Sequence, residues 1–391
     1  MTNAKNFFSK NAMLVILLFT MVLFQVLLGI RGKGSLFTPQ NLTNLIAQNA
    51  YVVILATGML LCILTGGNID LAVGSVVILV GALAGVFIVN WHINPYLSMA
   101  ICLVLAAGIG AWQAFWIAYM RIPPFIVTLA GMLTFRGLAL IILGSKGIGP
   151  FPTSFKAVFN SYIPSSWVER DLSIRLTLFG NEIRVPVVTV AIALVICAAM
   201  VALEAMSRAN KQRKGYAVDS LFWSAARLAA VGAAVLFVCW QLGLHDGIPV
   251  ILVLLGVVVT VYSYFTQNTV YGRYLYAMGG NEKAARLSGV NTKRMMFFAY
   301  TNMGFLAGVA ALVCVARFNQ ASTQAGTGYE LDAIGACFIG GAVVGAIFIG
   351  VLNMGMSLLG ADQNLQRVIK GLVLLAAVIF DILSKSRKQA A

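Results

Sequence analysis

"LDAIGACFIGGAVVGAIFIGVLNMGMSLL", residues 331–359, is the longest apolar run of the chain, and it carries glycines at 335, 340, 341, 345, 350 and 355. Whether it is one span or two elements joined at a glycine break decides how the whole chain is threaded. Hydrophobic runs of roughly 20 residues, the length needed to cross a bilayer, fall at about 12–30, 45–65, 70–90, 97–119, 124–144, 186–205, 221–243, 249–266, 295–316, 332–358 and 368–384. Lys5 and Lys10 precede the first of them. With that end on the cytoplasmic side, alternation also places Arg121, the Arg208/Lys211/Arg213/Lys214 cluster and residues 267–294 inside, as the positive-inside bias requires. Eleven crossings then leave Lys385, Arg387 and Lys388 outside, against the same bias. The conflict points to 331–359 as two elements.

Composition supports a membrane reading. The 391 residues are 60% apolar and 10% charged, with a mean hydropathy of +0.91, far from the ordinary soluble mix. The expected fold is all-α: one polytopic helical bundle over 1–391 with about 10–12 membrane segments, some broken or re-entrant. The formal charge of +15 sits in short clusters between hydrophobic runs, a loop pattern that excludes nucleic-acid binding as its cause. Six cysteines lie in or beside apolar segments without paired spacing or a neighbouring His, so neither a disulfide framework nor a metal site is expected. The run 12–30 is followed by Arg31 and Lys33 without a small-residue cleavage site, and reads as a retained first helix. Residues 146–185, with Pro150, Pro152 and Pro164, form an extracytoplasmic loop in this scheme.

Three polar features interrupt the oil. In "TGGNIDLAVGS", residues 65–75, Gly66 and Gly67 break the helical pattern and Asn68 and Asp70 add polar groups. Backbone broken at membrane depth occurs where protein or a water path satisfies it, as in transporters; the alternative is a turn whose Asn68 or Asp70 caps the next helix. Arg136 lies inside a span, so it must face a partner or water; structural pairing, with Asp70 as one possible partner, stands beside substrate contact. Asn302 and Asn353 are polar within late spans and either line a path or bond across helices. Asp70 is the one acid read as intramembrane.

The third feature is "YAMGGNEKAARLSGVNTKR", residues 276–294. Asn281 suits an N-cap, Glu282 the first turn, and Gly289 the end of a helix of about two turns. Ala284, Ala285 and Ser288 supply small residues that admit another backbone, with Lys283 and Arg286 as polar edges; the bland reading is a solvated basic loop. No P-loop, H-E-x-x-H or G-x-S-x-G sequence occurs, so nucleotide binding through a P-loop and the matching hydrolytic chemistries have no support.

Taken in order, "TGGNIDLAVGS", "PPFIVTLAGMLTFRGLAL", "YGRYLYAMGGNEKAARLSGVNTKR", "YELDAIGACFIGG" and "QRVIKGLVLLAAVIFDI" resemble the ribose/xylose-type permease subunits of bacterial ABC importers, nearest the xylose and multiple-monosaccharide branch. The resemblance implies an inner-membrane subunit with both termini cytoplasmic, without catalytic residues, metal or bound cofactor. It implies a second permease chain, two ATP-binding subunits that use ATP-Mg, and a periplasmic sugar-binding protein as partners. On the family's docking motif, Asn281, Ala284, Ala285, Ser288 and Gly289, with Glu282 and Arg286 among them, form a coupling helix within 267–294. Gly66, Gly67, Asn68, Asp70, Arg136, Asn302 and Asn353 are the candidates for the translocation path. One departure stands out: the family continues with about a dozen Gly-rich residues where Gly341 here runs directly into Ala342.

Competing readings are a permease of the same family for another small hydroxylated ligand, a secondary carrier coupled to H⁺ or Na⁺, and a membrane enzyme. The carrier calls for inverted repeats and coupling carboxylates. The enzyme lacks a converging acid–base or nucleophile pair.

Overall fold

The computed structural model describes residues 12–144, 146–163, 174–178, 181–215 and 221–389; Lys5 and Lys10 lie outside them. Helices dominate: α1 Ala12–Ile30, α2 Pro39–Leu64, α3 Val73–Gly85 running into a π turn Val86–Asn90, α4 Pro95–Ala118, α5 Pro124–Leu143 and the short α6 Thr153–Asn160. Then follow α7 Val187–Arg213, α8 Leu221–His245, α9 Val250–Asn268, α10 Val270–Gly280, α11 Glu282–Leu287, α12 Thr292–Phe318, α13 Tyr329–Leu359 and α14 Gln363–Gln389. Among the described residues ten helices are long and apolar enough to cross a membrane, so the chain is a polytopic helical bundle.

Packing divides the chain into two compact units, Met1–Leu36 with Leu45–Asn160 and Ile251–Ala391, and Phe37–Asn44 with Ser161–Val250. The smaller unit contains the α7–α8 pair and two antiparallel ribbons, β1 Tyr162–Ile163 with β4 Ile248–Pro249, and β2 Ile174–Leu178 with β3 Asn181–Val185. The 146–185 loop is thus partly built of α6 and strands.

In the larger unit α2, α3 and α12 form the buried centre, while α1, α4 and α5 turn much of their apolar surface outward. Hydrophobicity alone does not hold helices together in lipid; small residues do so by letting backbones approach. Gly110 of α4 and Gly304 of α12 face each other so closely that a Cβ on Gly304 would lie 2.5 Å from Ala106 O, and one on Gly308 would lie 2.5 Å from the Ala106 Cβ.

The run 329–359 is not a single rod. Gly340 (φ −159°, ψ 18°) and Gly341 (φ 75°, ψ −178°) leave helical geometry, and the chain doubles back. A Cβ on Gly345 would collide with Ala336 O, and one on Gly335 would meet Ile349 Cδ1 at 3.6 Å. A straight helix would hold such pairs more than ten ångströms apart.

Partners along α2 fix the direction of each limb. Tyr51 meets Asp332, Ala56 meets Cys337, and Leu60 and Leu61 share a cavity with Ala342 and Val343. Limb 329–339 therefore runs with α2, and limb 342–359 runs back, since Asn353 returns to Asn49 and Leu359 O accepts from Lys33 Nζ at 3.0 Å. Helix α14 descends again beside limb 329–339, where Lys370 meets Asp332 and Leu374 meets Gly335. It ends at the end of the bundle from which α1 starts. The parity conflict is thereby removed by the two glycines themselves, with no dozen-residue insertion after Gly341.

Candidate functional site at the basal end and in the broken segments

The end of the bundle that carries α10 and α11, here the basal end, is built by tight turns. Thr269 Oγ1 accepts from Gly272 N at 3.1 Å to start α10, and Gly279 lies against Leu64 O at the end of α2, 3.0 Å from where a Cβ would stand. Asn281 Oδ1 accepts from Ala284 N at 3.0 Å and caps α11; Ser288 Oγ donates to Ala284 O at 3.0 Å, and Gly289 ends the helix at φ 86°. Glu282 stands in the first turn and Arg286 in the last, each matched to the helix dipole. A six-residue helix is too short to persist by itself; here α10 and α12 hold it.

The small residues of α11 divide between two faces. Ala285 is 5% exposed and belongs to the interior, while Ala284 and Ser288 are open and Leu287 is 90% exposed. The outward face is thus Lys283, Ala284, Leu287 and Ser288. Leu287 was not singled out from sequence, because a lone leucine in a polar stretch reads as packing.

Segment 65–72 leaves the basal end of α2 and turns back into the bundle. Gly66 (φ 112°) and Gly67 (φ 81°) reverse the chain, and Asn68 Nδ2 donates to Thr65 O at 3.0 Å. Asp70 is 3% exposed; its Oδ1 accepts from Ala72 N at 2.8 Å and its backbone N lies against Met59 Sδ. Met59 is about 7 Å along α2 from Leu64, so α3 starts within the bundle. Asp70 accordingly holds a turn ahead of α3, and the sequence's suggestion of an Asp70–Arg136 pair does not hold.

A second broken stretch enters from the other end. Ala321 bridges to Ile148 beside Gly85, and five residues later Gly326 lies against Gly74, about 16 Å further along α3. Arg136, twelve residues into α5, donates from Nη2 to Thr327 Oγ1 at 2.7 Å and lies within electrostatic reach of Glu330. Glu330 Oε2 itself sits at Gly74. Arg136, Thr327 and Glu330 are all half-buried.

Asp70 is not alone as an intramembrane acid, which corrects the sequence reading. Asp332, 2% exposed, accepts from Tyr51 Oη at 2.5 Å and pairs with Lys370 Nζ at 3.0 Å, while Tyr51 stacks on Tyr329 at 3.7 Å. The signal for this cluster was available: Asp332 and Lys370 both stand within apolar runs, where a charge must find a partner.

Asn302 Oδ1 accepts from Tyr262 Oη, and Asn353 Nδ2 donates to Asn49 Oδ1 at 3.1 Å. These are bonds across helices. The seven path candidates do not converge: Gly66 and Asn68 line a basal cavity, Gly67 turns the chain between them, Asp70 is buried, Arg136 joins the 319–328 segment, and Asn302 and Asn353 stand elsewhere. The basal cavity, about 390 Å³, is bounded by Thr65, Gly66, Asn68 and Arg121 on one side and by Glu282 and Arg286 of α11 on the other. The cavity thus lies between α11 and the first broken segment.

Two segments of the chain, 41–201 and 172–378, match the family model for the branched-chain amino acid transport system permease component. The chain is 33% identical over 368 residues to the xylose transport system permease protein XylH of Escherichia coli K12, covering 90% of this chain and 88% of the relative. It is 29% identical over 394 residues to XylH of Haemophilus influenzae, covering 97% and 98%, and 31% identical over 359 residues to the ribose import permease protein RbsC of Escherichia coli K12, covering 89% and 87%. No solved structure matches the chain.

Proposed function

From the chain's membership of the ribose/xylose-type ABC sugar permeases, we propose that it is the membrane subunit through which an ABC importer carries monosaccharides, xylose or several aldoses, across the bacterial inner membrane. It works with a second permease chain, two ATP-binding subunits that hydrolyse ATP-Mg, and a periplasmic sugar-binding protein. The basal end, from which α1 starts and at which α14 ends, is the cytoplasmic one. The positive-inside bias supports this side: Arg121, Arg273, Lys283, Arg286, Lys293 and Arg294 all stand at or beside it.

The observation that carries the reading is α11: a capped two-turn helix, exposed along Lys283, Ala284, Leu287 and Ser288, whose opposite side walls the cavity that reaches Gly66 and Asn68. A partner that grips α11 acts on the first broken segment through α10, which packs on α11 and whose Gly279 lies against Leu64 O, just ahead of that segment. ATP binding biases the access state only if the partner holds α11 differently in the two states. Transported sugar passes by alternating access, with Gly66, Gly67, Asn68, Asp70, Arg136, Asn302 and Asn353 on or behind the path.

The test is reconstitution. Proteoliposomes holding the permease with its ATPase should accumulate xylose on addition of ATP and loaded binding protein, and should not do so with a proton or sodium gradient alone. Uptake driven by a gradient without ATP would replace this reading with a secondary carrier, for which the Asp332–Lys370 pair would be the first place to look.

A further inference from the structure

Four helix ends meet around the basal cavity: the C-termini of α2 and α4 and the N-termini of α5 and α12. Helix ends mark the level at which hydrocarbon gives way to the polar headgroup zone. The walls are divided by chemistry. Ile117, Ala118, Ile122, Pro123 and Met296 give an apolar side, while Arg121, Arg286 and Lys293 bring three cations from three separate elements against the one carboxylate of Glu282. Arg121 is held at φ 57°, a left-handed conformation that strains a residue with a side chain. A volume of about 390 Å³ is ample for a phosphate with part of its glycerol ester.

A neutral solute gives no reason for a surplus of two cations, and a free anion gives none for the apolar side. We propose that this cavity binds the phosphate group of an anionic phospholipid from the adjoining leaflet, with Arg121 and Lys293 as the cations at the ends of the long helices and Arg286 of α11 completing the site. Basic pockets between helix ends at the membrane surface take headgroups by this combination of charge and apolar contact. Arg286 belongs both to α11 and to the lipid site, so occupancy fixes the position of α11. The site shares Gly66, Asn68, Glu282 and Arg286 with the proposed path and coupling helix, but its test reads lipid binding alone and needs neither sugar nor ATPase.

The experiment uses the full chain in nanodiscs of phosphatidylcholine alone or of phosphatidylcholine mixed with phosphatidylglycerol, with thermal unfolding as the readout. Phosphatidylglycerol should raise the midpoint by at least about 3 °C, and the double variant Arg121→Gln/Lys293→Gln should lose most of that rise. Arg286→Gln should weaken it independently, and Lys211→Gln/Arg213→Gln, a basic pair on α7, should keep it in full. An equal rise in the parent and the Arg121/Lys293 variant overturns the site. A rise of the same size from inorganic phosphate in phosphatidylcholine discs, lost in that variant, overturns the lipid as its source.

Discussion

Gly74 and Gly326 cross backbone to backbone: a Cβ on either would collide with the carbonyl oxygen of the other. Gly74 opens α3 after the break that enters from the basal end, and Gly326 lies at the bottom of the stretch that enters from the opposite end. The two interruptions of regular helix therefore meet inside the bundle, with Glu330 against the crossing and Arg136 bonded to Thr327 beside it. Irregular backbone at this depth is tolerated because protein covers it.

Replacement of Gly326 by Ala introduces both a backbone collision and a side chain at φ 74°. The expected loss of stability is about 2–3 kcal/mol. Thermal unfolding of the detergent-purified chain checks it, with Gly371→Ala as comparison, since a Cβ there meets nothing within 4 Å.

The glycine turn is tested by two variants with different causes. A Cβ on Gly341 has open space around it, so Gly341→Ala strains only the backbone, by about 1–3 kcal/mol. Gly345→Ala drives a methyl into Ala336 O and should separate the limbs. Gly335→Cys with Ile349→Cys, on facing limbs of the hairpin, should be bridged by a short bifunctional thiol reagent once the native cysteines are replaced, and should fail to be bridged with Gly345→Ala.

Lys370→Met leaves Asp332 buried beside Tyr51 without its cation. A loss of about 3–5 kcal/mol is expected, and Asp332→Asn added to Lys370→Met should restore much of it. A double-mutant cycle by thermal unfolding measures the coupling; simple additivity would show that the pair contributes nothing beyond two separate side chains.

Much of this was legible in the chain, for reasons tied to particular residues. Span length and hydropathy locate the helices, and the basic tail against eleven crossings betrays the break that Gly340 and Gly341 make. The cap of α11 by Asn281 and its end at Gly289 follow from local side-chain chemistry, which needs no knowledge of distant residues. Long-range pairing was not legible. The partner of Arg136 is Thr327, 191 positions away, and nothing local distinguishes it from Asp70. The inward turn of Ala285 and outward turn of Leu287 depend on how α10 and α12 hold α11, a tertiary matter that composition conceals. Asp332 escaped notice because a single acid at the head of an apolar run reads as a first-turn residue, which it is; its burial beside Tyr51 and Lys370 is a tertiary matter.

The most direct test of the coupling account is binding of the partner ATPase to chains altered on the outward face of α11. Ala284→Glu and Leu287→Asp change exposed residues, so the unfolding midpoint of the permease alone should stay within about 1 °C of the parent, while co-purification with the ATPase and sugar-stimulated hydrolysis are lost. Retention of both, in folded protein, would contradict the account.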